Sequence, residues 1–274
     1  MPATLNIVGA GHVGRTLGRL FAAHGVFAVQ DVLTRSLDTA HAAVAFIGAG
    51  QAVAGLAGLR PAEVWMLAVG DDQIAPTCAA LAGAGLMQDA VVFHCSGAKA
   101  SSELQAPGAS TASVHPVRSF ADPEGVAAAF AGTWCGVEGD ARALALLTPA
   151  FEAIGARLVT IDAAAKTVYH AASVFAANYL VTVLDAALRA YVAAGVPQEV
   201  ARELARPLAS ESLANVFRLG PAAALSGPVA RGDLATVARQ QAAVSHWDAP
   251  TGRLYEALVE ATTSLAERKR RGQS

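Results

Sequence analysis

Residues 5–18 read LNIVGAGHVGRTLG, a short apolar run followed by Gly9, Gly11 and Gly14 in G-x-G-x-x-G spacing and then a helical pattern carried by Val13, Leu17, Leu20 and Phe21. Each part has a mechanical reason. Leu5, Ile7 and Val8 suit a buried strand, and Gly9 suits the tight turn that ends it. Gly11 leaves room for backbone to approach a pyrophosphate, and Gly14 lets the helix pack closely on the strand. The helix N-terminus offers free N–H groups and the positive end of a dipole to phosphates. Gly9, Gly11, His12, Val13 and Gly14 are therefore expected to hold a dinucleotide.

The length and charge of the chain suit one compact two-domain protein or two small domains. It has 274 residues, 20 Lys plus Arg, 22 Asp plus Glu and a formal net charge of −2. That balance gives no support for nucleic-acid binding, and the basic run Arg268–Arg271 reads as a solvated C-terminus. Hydrophobic residues make up 54% and charged residues 15%. So little charge implies a large buried surface, including a subunit interface. The most apolar stretch, Ala171–Leu184, carries Ser173, Asn178, Tyr179 and Thr182. It is expected to be too short for a membrane span. With a first strand so close to Met1, no leader is expected ahead of it. Three cysteines without metal-type spacing read as reduced, mostly buried thiols, so a cytoplasmic location is expected.

Residues 1–162 alternate strand-like runs with helical patterns. Strands are expected at Leu5–Val8, Phe27–Leu33, Val64–Val69 and Ala90–His94, with shorter ones at Ala112–His115, Thr133–Val137 and Arg157–Ile161, and a weakly signalled one near Gln51–Val53. Strands separated by helices imply a parallel sheet with right-handed crossovers. From Ala163 onward only helices are expected: Ala163–Ala194, Pro197–Leu219, Pro221–Leu225, Asp233–Ala243 and Thr251–Arg268. The fold class is thus α/β, an N-terminal Rossmann dinucleotide-binding domain over 1–162 followed by an all-helical domain over 163–274. The helical domain is expected to form a homodimer.

The identity of the dinucleotide should be written at the end of the second strand, about twenty residues past the last glycine, where an NAD site places an acid. Here the chain has Thr34-Arg35-Ser36. Arg35 can pair with a 2′-phosphate and the hydroxyls can donate to it, which favours NADP. Asp31 falls three residues early. Further strand tips supply more candidates. Val69 and Gly70 are expected to touch the cofactor through backbone. Ser96 and the N–H groups around Gly97 could hold a polar substrate group, or Ser96 could merely cap a turn. His115 could bind substrate or be a buried structural histidine.

The long helix should close the site. Lys166, one of three lysines, has His170 at i+4 and Ser173 at i+7 on one face, with Asn178 at its edge. Lysine or histidine there could pass a proton to an atom that receives hydride. The N-terminal half resembles the superfamily that includes 6-phosphogluconate dehydrogenase, 3-hydroxyisobutyrate dehydrogenase, ketopantoate reductase, pyrroline-5-carboxylate reductase and prephenate dehydrogenase. These join a Rossmann domain to a helical domain whose first long helix carries Lys-x-x-x-Asn. This chain has Lys166 with His170 in the asparagine position.

The strings HCSGA (94–98), SVHP (113–116), YHAASVFAANYL (169–180) and GPVARGD (227–233) are similar to an uncharacterised Rossmann-like NADP-dependent oxidoreductase family, grouped by its N-terminal domain with deazaflavin-dependent NADP oxidoreductases. The resemblance implies a reductase or dehydrogenase. It would transfer hydride between NADPH and a small carbonyl or imine that bears a carboxylate. Lys166 and His170 are the catalytic candidates. Ser96, His115, Asn178 and Arg231 are the substrate-binding candidates, a structural Arg231–Asp233 pair being the equal alternative for Arg231. The alternative is a non-catalytic NADP-binding sensor with the same glycine loop. No metal is expected.

Overall fold

A computed structural model describes residues 1–272. The chain divides into two compact units, Met1–Val174 and Phe175–Ser274. In the first, β1 (Thr4–Val8), α1 (His12–Ala23), β2 (Ala28–Leu33), α2 (Leu37–Ile47) and β3 (Gln51–Val53) are followed by β4 (Val64–Leu67), α3 (Ile74–Gly83), β5 (Val91–His94) and β6 (Ser110–Pro116). Then come α4 (Pro123–Ala128), β7 (Trp134–Gly139), α5 (Ala141–Ala153), β8 (Arg157–Thr160) and α6 (Lys166–Val174). The strands form one sheet in the order β3-β2-β1-β4-β5-β6-β7-β8. The reversal of direction at β1 and β4 is the switch point outside which such sheets bind dinucleotides.

Both faces of this sheet are covered, so its strands are apolar without alternation. Successive residues of β4 go to opposite faces. Val64 and Met66 join the core around Leu5, Ile7, Leu17 and Phe21. Trp65 and Leu67 join the core around Ile74, Cys78 and Leu81. In the first core, Phe151 of α5 meets Phe21 of α1 edge-to-face at 5.3 Å and Phe93 of β5 at 5.9 Å. One ring therefore ties helices from both halves of the sheet to its centre.

One expectation is corrected. The sheet is not parallel throughout, because β7 runs antiparallel to β6 while β8 is parallel to β7. The chain re-enters the sheet at the same end at which it leaves β6, where Val117 N–H donates to the Trp134 carbonyl.

Asp31, the early acid of β2, is buried. Arg60 holds its carboxylate through the backbone N–H at 2.8 Å and the guanidinium at 2.6 Å. It anchors the segment before β4 and does not face the cofactor side.

Helical chain begins at Ala163, yet the first compact unit runs on to Val174. Lys166 is buried there against the sheet. The second unit contains a π-helical turn (Phe175–Tyr179), α7 (Leu180–Ala193), α8 (Gln198–Leu219), α9 (Pro221–Ala224), α10 (Pro228–Arg231), α11 (Leu234–Trp247) and α12 (Ala249–Arg270). The turn Gly195-Val196-Pro197 separates α7 from α8, with Gly195 at φ 90°. Asp233 caps α11 by accepting from Thr236 N–H, and Asp248 caps α12 by accepting from Thr251 N–H. The uninterrupted helical stretch Ala163–Ala193 has 31 residues and a mean hydropathy of 1.5 over its most apolar window. By length and composition it could cross a membrane, which corrects the expectation drawn from Ala171–Leu184 alone.

Phe151→Ala should cost about 3–5 kcal/mol, the usual penalty for emptying a buried aromatic site. Urea unfolding checks this, with the midpoint falling and the slope unchanged.

Candidate active site

The loop after β1 has the geometry its glycines suggest. Gly9 has φ 81°, and a Cβ there would lie 2.6 Å from the Ala68 carbonyl oxygen. A Cβ on Gly14 would lie 2.5 Å from the Gly9 carbonyl oxygen, so α1 could not sit this close with any larger residue. Nothing lies within 4 Å of the Cβ position of Gly11. That open side faces a cleft of about 860 Å³. The volume is within the range of cofactor pockets.

Gly9, Gly11, Thr34, Arg35, Val69 and Gly70 line this cleft, together with Arg15, Thr39, Gln73 and Thr77. His12, Val13 and Gly14 form the first turn of α1 behind the loop, and Ser36 is also outside the lining. Ser36 is the N-cap of α2. It accepts from Thr39 N–H, and the Thr39 hydroxyl accepts from Ser36 N–H in return. Thr34 and Thr39 hydroxyls lie 2.5 Å apart. Thr39 thus takes the lining position that Ser36 was expected to hold. Arg35 with these hydroxyls, and α1 with its free N-terminal N–H groups, offer two places for anionic groups of a nicotinamide dinucleotide.

A second cluster occupies the tips of β5 and β6. His94 is fully buried, with Nε2 3.1 Å from the Ala100 carbonyl and Nδ1 3.2 Å from Ser96 N–H. The carbonyl requires a proton on Nε2 and the N–H requires a lone pair on Nδ1, so the ring must be neutral. Burial is the main cause that lowers its pKa to about 4. The Ser96 hydroxyl accepts from the N–H groups of Ala98 and Lys99 at 3.1 and 3.0 Å. It is engaged as a turn cap. His115 Nδ1 lies 3.0 Å from the Tyr169 hydroxyl. The pKa of His115 is also lowered to about 4, by burial first and by its neighbours His170 and Lys166 next.

Lys166 does not reach into open space. It is 1% exposed, its ammonium lies 3.2 Å from Glu138 of β7, and it donates to the Ser113 hydroxyl. Glu138 also accepts from Ser101 N–H at 2.8 Å and from the Ser101 hydroxyl at 2.6 Å. Burial lowers the Lys166 pKa while Glu138 opposes that shift. A buried pair is tolerated when both ions are this fully bonded. Lys166 therefore ties α6 to β6 and β7. His170, one turn on, packs its ring against His115 with centroids 5.7 Å apart.

The structure thus brings Lys166, His115 and His170 together at one end of the sheet, with Ser96 on the adjoining turn. Asn178 and Arg231 belong to the second unit. Asn178 is exposed, and Arg231 closes the four-residue α10. The sequence reading missed Tyr169, Glu138 and Thr39. An acid inside the strand run WCGVEG was the available signal for Glu138, because a strand buried on both faces requires a partner for such a charge.

The His94 tautomer has a consequence for stability. Its pKa falls from 6.5 unfolded to about 4 folded. The unfolded chain therefore takes up the proton first as pH drops. The contribution is full above pH 6.5 and is lost as pH falls through about 4. It is on the order of 3 kcal/mol for a shift of this size. His94→Asn, which keeps an acceptor near the Nδ1 position, should flatten the decline in melting temperature between those limits. Thermal scans at stepped pH check it.

Comparison with known proteins adds family context. Residues 133–262 match the model of a domain of unknown function, DUF2520, a span that includes Glu138, Lys166, Tyr169 and His170. No curated protein sequence matches the chain. Among solved structures, protein TM1727 from Thermotoga maritima is 27% identical, with a TM-score of 0.77 over 97% of this chain and 99% of that one. A candidate NADP oxidoreductase, BF3122 from Bacteroides fragilis, is 20% identical, with a TM-score of 0.78 over 96% and 98%. A pyrroline-5-carboxylate reductase from Coxiella burnetii is 17% identical, with a TM-score of 0.57 over the full length of both chains. The chain shares its fold with these structures, and its residues 133–262 are similar to the DUF2520 model.

Proposed function

We propose that the chain is an NADP-dependent oxidoreductase. On this reading it moves hydride between NADPH and a small carbonyl or imine that bears a carboxylate. The observation that carries the reading is the glycine-loop cleft, which has the α1 N-terminus at one end and Arg35 with Thr34 and Thr39 at the other. The similarity in fold to NADP oxidoreductase-like structures supports it. When bound, the cofactor would supply the hydride, and the chain's own groups would hold it and order the substrate.

Of the two catalytic candidates on α6, His170 is the one free to act toward substrate. The Lys166 ammonium is committed to Glu138 and Ser113. Lys166 then has a supporting part, setting the position of the helix turn that carries His170. Arg231 and Asn178 remain the proposed ligands of the substrate carboxylate by residue type. The rival reading, a non-catalytic NADP-binding sensor, gains from the internal engagement of Lys166 and Ser96. Turnover of NADPH with any of a panel of 2-oxo acids, semialdehydes and cyclic imines decides between them.

We further propose a cytoplasmic homodimer formed through the helical unit. There, Phe217 is 86% exposed, Val181 67% and Leu208 60%, more apolar surface than a solvated helix face carries singly. Only 6% of the most apolar window of Ala163–Ala193 is buried within the chain.

Two measurements test these readings. NADPH should bind more tightly than NADH by fluorescence titration. Arg35→Ala should remove most of that difference, about 1.5–3 kcal/mol for a charge-assisted contact. Equal affinities in the parent protein would overturn the NADP assignment. Light scattering in detergent-free buffer should give twice the chain mass at micromolar concentration. A monomer, or a requirement for detergent, would overturn the dimer.

A further inference from the structure

The cleft beside the glycine loop is one-sided in charge. Arg15 and Arg35 line it, and no aspartate or glutamate does. Neither arginine is paired with a carboxylate among the described residues. A single unmatched arginine on a surface is ordinary. Two in one acid-free cleft raise a local positive potential that draws an anion.

Arg15 follows the last glycine of the loop and lies in the first turn of α1. Its Nε donates to the Ala10 carbonyl at 3.2 Å. Its guanidinium carbon lies 5.9 Å from the centre of the Phe46 ring of α2. These contacts fix one edge and one face of the group. Among the described residues no acceptor takes its two terminal amino groups. Arg19, one turn further along α1, makes the contrast. It also lies over Phe46, at 5.0 Å, but it pairs with Glu124 at 3.6 Å and stands outside the cleft lining. Of the two arginines on this ring, only the one without an acid faces the cleft.

Phe46 also gives the direction. It follows Thr39 by seven residues, two turns of α2, and so shares its stripe of the helix. Arg15 therefore leans to the side of the cleft that carries Thr39, Thr34 and Arg35. The pyrophosphate of a dinucleotide is served by main-chain N–H groups at the start of α1. A phosphate monoester has three terminal oxygens and nearly two negative charges at neutral pH. One guanidinium matches only one of those charges.

We propose that Arg15 is a specificity residue that grips the 2′-phosphate of NADP together with Arg35, one guanidinium from α1 and one from the turn after β2. This rests on the NADP-dependent reading. The Phe46 ring is the platform that orients the Arg15 fork in advance, so that little side-chain freedom is lost when the phosphate arrives.

The test is fluorescence titration of the full chain with NADPH and with NADH, in the parent, in Arg15→Ala and in Arg15→Gln, with melting temperatures recorded. Gln keeps much of the stem over Phe46 and removes the charge. Either variant should bind NADPH roughly tenfold more weakly and NADH within about twofold of the parent. Because both arginines act on one phosphate, Arg15→Gln should cost little more once Arg35 is alanine. Equal losses for NADPH and NADH would place Arg15 on the pyrophosphate and overturn the proposal, as would unchanged NADPH affinity in Arg15→Gln. Fully additive losses with Arg35→Ala would put the two arginines on separate groups and overturn it too. A parent that binds NADPH and NADH equally would instead strike the NADP reading, whereas a parent preference left intact by Arg15→Gln strikes this proposal alone.

Discussion

The buried pair of Lys166 and Glu138 is the constraint on which the chemistry end of the molecule depends. An ammonium and a carboxylate taken out of water are costly unless every strong bond each can make is made. Here Glu138 receives Lys166, Ser101 N–H and the Ser101 hydroxyl, and Lys166 also reaches Ser113. Meeting that demand fixes three things together. The turn at Ser101 is held beside β7, Ser113 of β6 is drawn to the same place, and α6 is locked in rotation about its axis. Because α6 is locked, Tyr169 falls on Gly136 and His170 falls on Gly97.

The two ends of the first unit work on different principles. The cofactor end uses main chain: a loop in which Gly9 and Gly14 leave no space for side chains, and a helix start whose N–H groups are free by geometry. The other end uses side chains whose hydrogen bonds determine one another. His94 must be neutral because a carbonyl and an N–H flank its ring. That same N–H belongs to Ser96, whose hydroxyl caps the turn carrying Gly97. A short polar series of this kind is sensitive to each member, since inside the protein an unmade bond is not replaced by water.

Much of the fold was legible because it rests on local signals. The glycine loop, the β1 apolar run and the stop at Gly195-Val196-Pro197 each act over a few residues, and the three-residue β3 was found despite its weak pattern. The reversal at β7 was not legible. It depends on where the β6–β7 connection docks on the sheet, and no periodicity records which way a strand runs. Thr39 was missed because its part depends on the capping geometry of α2, in which Ser36 is engaged with the backbone.

By itself, the sequence determined the presence of a dinucleotide loop, the absence of an acid where NAD would require one, and the change from mixed to purely helical chain after β8. These follow from residue type and spacing alone. Tertiary structure alone decided what Lys166 does. On a helix wheel it shares a face with His170, and nothing local distinguishes a lysine aimed at a ligand from one aimed at a buried carboxylate. The carboxylate lies 28 residues earlier, on a neighbouring strand, at 3.2 Å. Burial of both groups, a property of the packed sheet and not of either segment, turns their attraction into the feature that orders the site.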